Sequence, residues 1–275
     1  MLTPRLARSL AMLLLLALSA LVGGCSSDPS TPDPAAQAPT LPDPGRLVPD
    51  LDFFDAAATL EAAPLEKGAA SKAHFVNAYL RVVVVDALTR LVLAPPVTAF
   101  AVALHTVPSP QPDGSWLWVY TWVNGDEEAQ IRLRGHDAGA YVQWELRVTT
   151  EGLEPALDDV LWFEGRTARE GAEGQWSFHD HELAGNPVVA ELAWGDDASG
   201  EYLTLAAVAG PDAGDTLTYR HAAPHCSVVF VDGSGDLVHD IRWNEADGSG
   251  SLQVPDYNGG ERACWDTHQD DTDCD

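Results

Sequence analysis

The sequence predicts a mainly β protein: an antiparallel meander forming a barrel or a strongly curved sheet, with an N-terminal helical segment packed on it. Three observations lead there. From Ser115 onward, apolar and polar residues alternate with period two, as they do along half-buried strands. Turns rich in Gly, Asp, Asn and Ser separate these runs, with no helical interludes. Ahead of them, from Asp50 to about Leu93, the apolar spacing is helical.

In the helical part Asp52 suits the N-cap of a short first helix carrying Phe53, Phe54 and Leu60. A second helix is expected from about Ala69 to Leu93. Along it Phe75, Tyr79, Val82, Leu88 and Leu91 recur at steps of three, four or six. Arg81, Asp86 and Arg90 interrupt the apolar run and argue against a membrane span, and Pro95-Pro96 marks a break. Residues 79–104 are still the most apolar part of the chain after residue 25. A helix laid on a sheet accounts for that, and contact with lipid is the other reading.

The first strand, 115–123, carries Trp116, Trp118, Tyr120 and Trp122 on one side and Leu117, Val119 and Val123 on the other. A strand apolar on both faces is expected to be buried on both. Asn124-Gly125 follows as a two-residue hairpin signal. Ile131 and Leu133 then alternate with Arg132 and Arg134. Val142, Trp144, Leu146 and Val148 alternate with Tyr141, Gln143, Glu145 and Arg147, a strand with one wet face. Further strands are expected near 159–166, 174–181, 187–194, 201–208, 215–222, 226–232, 236–243, 249–254 and 260–265.

The chain opens with a basic end, Arg5 and Arg8, and a Leu/Ala core from Leu10 to Val22, followed by Gly23-Gly24-Cys25. Those are the parts of a secretory signal. The core falls short of the roughly 20 residues of a transmembrane helix. The run Leu21-Val22-Gly23-Gly24-Cys25 resembles the lipobox of bacterial lipoproteins. The resemblance covers residues 1–25. It implies cleavage after residue 24, a diacylglyceryl and acyl anchor on Cys25, and, with Ser26 next, sorting to the outer membrane. Residues 25–46 are rich in Pro, Ser, Asp, Ala and Thr, with Pro at 29, 32, 34, 39, 42 and 44. Such a tract reads as a disordered tether. The expected organisation is therefore 1–24 signal peptide, 25–46 lipidated Cys and tether, 47–110 helical segment, 111–265 antiparallel β domain and 266–275 acidic tail.

Beyond the leader, 13 basic residues face 42 acidic ones, a net of −29. That balance argues against nucleic acid and anionic membrane surfaces as partners. An exported chain meets an oxidising compartment, so Cys226, Cys264 and Cys274 invite one disulfide and leave one thiol. Local closure favours Cys264 with Cys274.

Several weak sites stand out. His179 and His181 share a strand face on the expected 174–181 strand. Two imidazoles so placed can hold a metal, with His221, His225 or Glu182 as a third ligand. Exposed histidines on a wet strand are the plainer reading. Asp232-Gly-Ser-Gly-Asp236 places oxygens as a calcium loop does. It lacks the Gly and Glu such a loop needs at Leu237 and Trp243, so a hairpin turn explains it better. The acidic tail from Asp266 to Asp275 reads as a solvated terminus. No nucleophile, zinc-hydrolase, phosphate-loop or dinucleotide motif is present, and no cofactor is implied. Cys226 and Cys264 sit inside strand patterns, which argues against cysteine catalysis.

Two functions remain open at this point. One is a non-enzymatic structural or interaction domain held at the envelope, meeting the membrane through Cys25 and an envelope protein through its surface. The other is a carrier whose cavity, lined by Trp116, Trp118, Tyr120 and Trp122, takes an apolar ligand. Lipoproteins with a helix across a curved sheet include such carriers. An envelope enzyme has no positive support.

Overall fold

A computed structural model describes residues 37–55, 71–235 and 237–274. The expected leader and the expected lipidation site Cys25 lie outside the described residues. The chain is mainly β: among the described residues fourteen strands form one antiparallel sheet that follows chain order from β1 to β14. These are β1 (Ser109–Pro110), β2 (Trp116–Asn124), β3 (Glu127–Asp137), β4 (Tyr141–Glu151), β5 (Val160–Ala168), β6 (Gly174–His179) and β7 (Val188–Asp197). They continue as β8 (Gly200–Ala207), β9 (Thr216–Ala222), β10 (His225–Val231), β11 (Val238–Asn244), β12 (Gly250–Gln253), β13 (Ala263–Trp265) and β14 (Asp271–Thr272). Neighbouring strands are joined in chain order, by connections that run from two residues, as at Ala223-Pro224, to the nine between Gln253 and Ala263. Between β2 and β3, Asn124 pairs with Glu127, so Gly125 and Asp126 are the two loop residues and Gly125 takes φ +64°. The turn is thus shifted one residue from its sequence reading.

The barrel that the strand count suggested is not formed. β1 and β14 stand at opposite ends of the strand order. Each is only two residues long, too little to carry a staggered closing seam. Very short edge strands are a usual way to finish an open sheet.

Ahead of the strands the described residues hold two α-helices, α1 (Asp52–Asp55) and α2 (Ala73–Ala103). α2 continues through Pro95-Pro96 instead of ending there. Two prolines remove the hydrogen bonds to the carbonyls of residues 91 and 92. That loss falls where the chain divides into two compact units, between Arg90 and Leu91. Among the described residues no single helix is long and apolar enough to cross a membrane; the stretches Ala73–Ala87 and Val92–Ala103 meet that length and composition only together.

One unit takes in residues 37–47 and 91–191 of the described chain. Its core is aromatic. Phe100, from α2, is fully buried, with its ring 5.4 Å from Trp144 and 5.3 Å from Trp176. Phe163 lies 5.0 Å edge-on to Trp176, and Trp118 lies 5.8 Å from Trp144. Glycine makes room for the indoles. Gly135 pairs with Trp144, which pairs with Gly165, which pairs with Trp176. A Cβ on Gly135 would stand 2.7 Å from the Trp144 ring, and one on Gly165 would stand 2.5 Å from the Trp176 ring. Each indole therefore lies over a bare backbone on the next strand. The Trp144 indole N–H donates to Thr167 Oγ1 at 2.9 Å, so its polar edge is satisfied. Residues 37–47, at the end of the Pro-rich tract, lie against this unit. Pro39 reaches the Gly135 backbone, Leu47 is fully buried, and the Arg46 guanidinium donates to the Ala172 carbonyl at 3.0 Å.

Of the described residues, the other unit takes in 48–55, 71–90, 192–235 and 237–274. Phe54 packs edge-on to Trp243 at 5.0 Å and stacks on Phe75 at 6.0 Å, and Phe75 meets Trp265 at 5.6 Å. The glycine device recurs: Gly250 pairs with both Trp243 and Trp265, and the Trp265 ring covers it. The tail expected as a solvated terminus contributes an edge strand and a helix cap. Asp271 Oδ1 accepts from the His74 N–H at 2.8 Å, and its Oδ2 accepts from the Ala73 N–H at 3.3 Å. A carboxylate there satisfies orphan donors at the positive end of α2.

Candidate functional site

The described residues bring together one set of side chains able to hold a metal: His221, Cys226 and Glu245. Their placement follows from the hairpin registers of the second unit. β9 and β10 are joined through Ala223-Pro224, so Ala222 pairs with His225 and His221 with Cys226. Cys226 in turn pairs with Trp243 on β11, and Glu245 comes just after that strand ends, where its N–H donates to the Pro224 carbonyl at 2.9 Å. On the other flank His221 pairs with Glu201 of β8. Three neighbouring strands and one turn thus deliver a thiol, an imidazole and two carboxylates to one end of the sheet.

The donor atoms of His221, Cys226 and Glu245 lie within 4.8 Å of one another. His221 Nε2 is 3.3 Å from Glu245 Oε2, and Nδ1 is 3.7 Å from Glu201 Oε2. The Nε2 atom is buried and makes no hydrogen bond. Cys226 is 3% exposed and Tyr219 6% exposed. The Tyr219 hydroxyl stands beside the thiol and is buried without a well-formed hydrogen bond. Burial pushes the Cys226 thiol up, and the hydrogen bond and charge of Glu245 push it further. Burial likewise raises the Tyr219 phenol, with Cys226, Asp50, Glu245 and Glu201 adding to it. The thiol is therefore held protonated and is a poor nucleophile as it stands. The cluster is rich in acceptors and in negative charge, from Asp50, Glu201 and Glu245.

Residues singled out from the sequence fall elsewhere. Trp118 is buried. Trp116, Tyr120 and Trp122 are half-buried on the same side of β2. The other face of β2 is not buried as expected: Val119 is 39% and Val123 61% exposed. The aromatic side of this strand meets the core, and its opposite side has no covering layer at these two residues. His179 and His181 do not share a strand, because β6 ends at His179. His179 Nδ1 lies 2.9 Å from the Asn186 carbonyl oxygen, and Nε2 lies 3.5 Å from Glu164 Oε1. The His181 ring instead packs on Trp162 at 5.1 Å. Cys264 and Cys274 form a disulfide that ties the tail to β13. Asp232 opens the β10–β11 turn, its carboxylate accepting from the Ser234 N–H at 3.1 Å; Asp236 lies outside the described residues.

Sequence reasoning noted His221 as a candidate third ligand and set Cys226 aside as a strand residue. Their pairing was within reach: a tight turn at Ala223-Pro224 puts residues 221 and 226 opposite each other. Glu245 was not, because it depends on the register of a third strand. No protein-family model, curated protein or solved structure matches the chain.

Proposed function

We propose that the chain is a lipid-anchored protein of the bacterial cell envelope, a non-enzymatic structural or interaction domain on a short tether.

 The observation that carries the anchor is the Leu21-to-Cys25 run after its Leu/Ala core. The mature part would meet the membrane through the lipid on Cys25 and an envelope protein through its surface. Two features support an interaction domain over a carrier. The aromatic side of β2 is engaged in packing, with Trp118 4% exposed against Trp144. In the other unit α2 leaves an apolar row in the open: Leu80, Val83 and Val84 are 51%, 43% and 58% exposed. Residues at i, i+3 and i+4 share one helix face, the spacing by which helices present anchors to a partner.

Metabolic labelling with a clickable fatty acid tests the anchor. The wild-type chain is expected to take up label and fractionate with membranes, and Cys25→Ser to do neither. Label persisting on Cys25→Ser would refute it. Native mass spectrometry of the purified protein tests the second part. The expected mass is that of the acylated chain alone, and a co-purifying apolar ligand would turn the reading to a carrier.

A further inference from the structure

We infer that His221, Cys226 and Glu245 form a binding site for a single divalent zinc-class cation. The donor set itself points to the metal. Calcium and magnesium take oxygen ligands almost alone, whereas one imidazole nitrogen, one thiolate sulfur and one carboxylate oxygen suit zinc. The spacing agrees. Zinc bonds of about 2.0–2.3 Å in a tetrahedron separate neighbouring donors by roughly 3.3–3.8 Å. His221 Nε2 and Glu245 Oε2 already stand 3.3 Å apart, and all three donors fall within 4.8 Å. Glu245, whose side chain is 35% exposed, follows directly on the end of β11, and the cross-strand pairing of His221 with Cys226 sets their side chains next to each other.

A second observation points the same way. His221 Nε2, one of the three ligand atoms, is buried and makes no hydrogen bond, although Glu245 Oε2 stands 3.3 Å away. Orphaned buried polar atoms carry a free-energy cost that a bound ion relieves. Glu201, at 3.7 Å from His221 Nδ1, is the positioning residue: a carboxylate on the far ring nitrogen holds Nε2 toward the metal. Binding releases the thiol proton to solvent and leaves a thiolate–metal bond. Three protein ligands leave a fourth position for water.

The site is independent of the anchor, so its test is run in a Cys25→Ser background, where Cys226 is the only thiol outside the disulfide. The full chain is purified without a tag, stripped with chelator, and titrated with Zn²⁺ and with Co²⁺. One equivalent of zinc is expected to bind. The cobalt form is expected to show a near-ultraviolet thiolate charge-transfer band and the intense visible bands of four-coordination. Cys226→Ser removes the charge-transfer band, Glu245→Gln weakens zinc binding, and Glu201→Gln weakens it by about 10–100-fold. Should Cys226→Ser fail to fold, Glu245→Gln, at a partly exposed position, carries the comparison. Absence of zinc binding, a cobalt spectrum without the charge-transfer band, or unchanged affinity in Glu245→Gln would overturn the inference.

Discussion

Replacing Trp118 by Ala separates a packed aromatic core from a ligand cavity. Trp118 is 4% exposed, and its ring sits 5.8 Å from Trp144, which in turn contacts Phe100. A buried Trp withdraws roughly 150–250 Å² from water. At about 25 cal/mol per Å² that area corresponds to roughly 4–6 kcal/mol of transfer free energy. Ala keeps a methyl group, and an extended reference chain overstates the area buried. The expected loss is therefore about 3–5 kcal/mol, the usual range for large-to-small changes in a core. Trp116→Ala and Trp122→Ala, at half-buried positions of the same strand face, are expected to lose under about 2 kcal/mol each. Because the chain has two compact units, hydrogen exchange at the β2–β4 amides is the better readout, since it follows the unit that holds Trp118. A parallel fluorescence titration with a fatty-acid analogue is expected to show no saturable binding. A loss below about 1 kcal/mol at Trp118, together with saturable binding by the wild type, would refute the packed-core reasoning.

Three further outcomes are expected. Asp271→Ala removes the side-chain acceptor for the first N–H groups of α2 and is expected to lower stability by about 1 kcal/mol, measured by urea denaturation. Reducing the Cys264–Cys274 disulfide opens a loop of sequence separation 10; loop-closure entropy puts the loss at about 2.7 kcal/mol, read from melts with and without reductant. Burial alone would raise the Asp240 carboxyl, but hydrogen bonds from Arg242 and Arg262 overcome it and hold the group below the usual carboxylate range. A depressed folded-state pKa contributes stability that is complete above the unfolded value of about 3.9 and is lost as pH falls through the folded value. Asp240→Asn is therefore expected to flatten the stability–pH curve on that acid limb, and an unchanged slope would count against the pairing.

The strand content was legible in the sequence because side-chain alternation is local: each residue declares its face relative to its neighbours, as Val142, Trp144, Leu146 and Val148 do along β4, all of them buried. The proposed export leader and lipid anchor rest on a short contiguous run of sequence, Leu10 to Cys25. What the tertiary structure decided depends on pairings that no local pattern encodes. Period two says that β2 has two apolar faces, but only the surrounding layers leave Val119 and Val123 exposed. Strand number does not say whether the edges meet, and two-residue strands at both ends left the sheet open. Asp271 reads as one more acid in a charged tail until the fold sets it against the first turn of α2, 198 residues away from Ala73. His221, Cys226 and Glu245 converge only through the registers of three successive strands, since a shift of one residue in any of them would turn a donor to the opposite face.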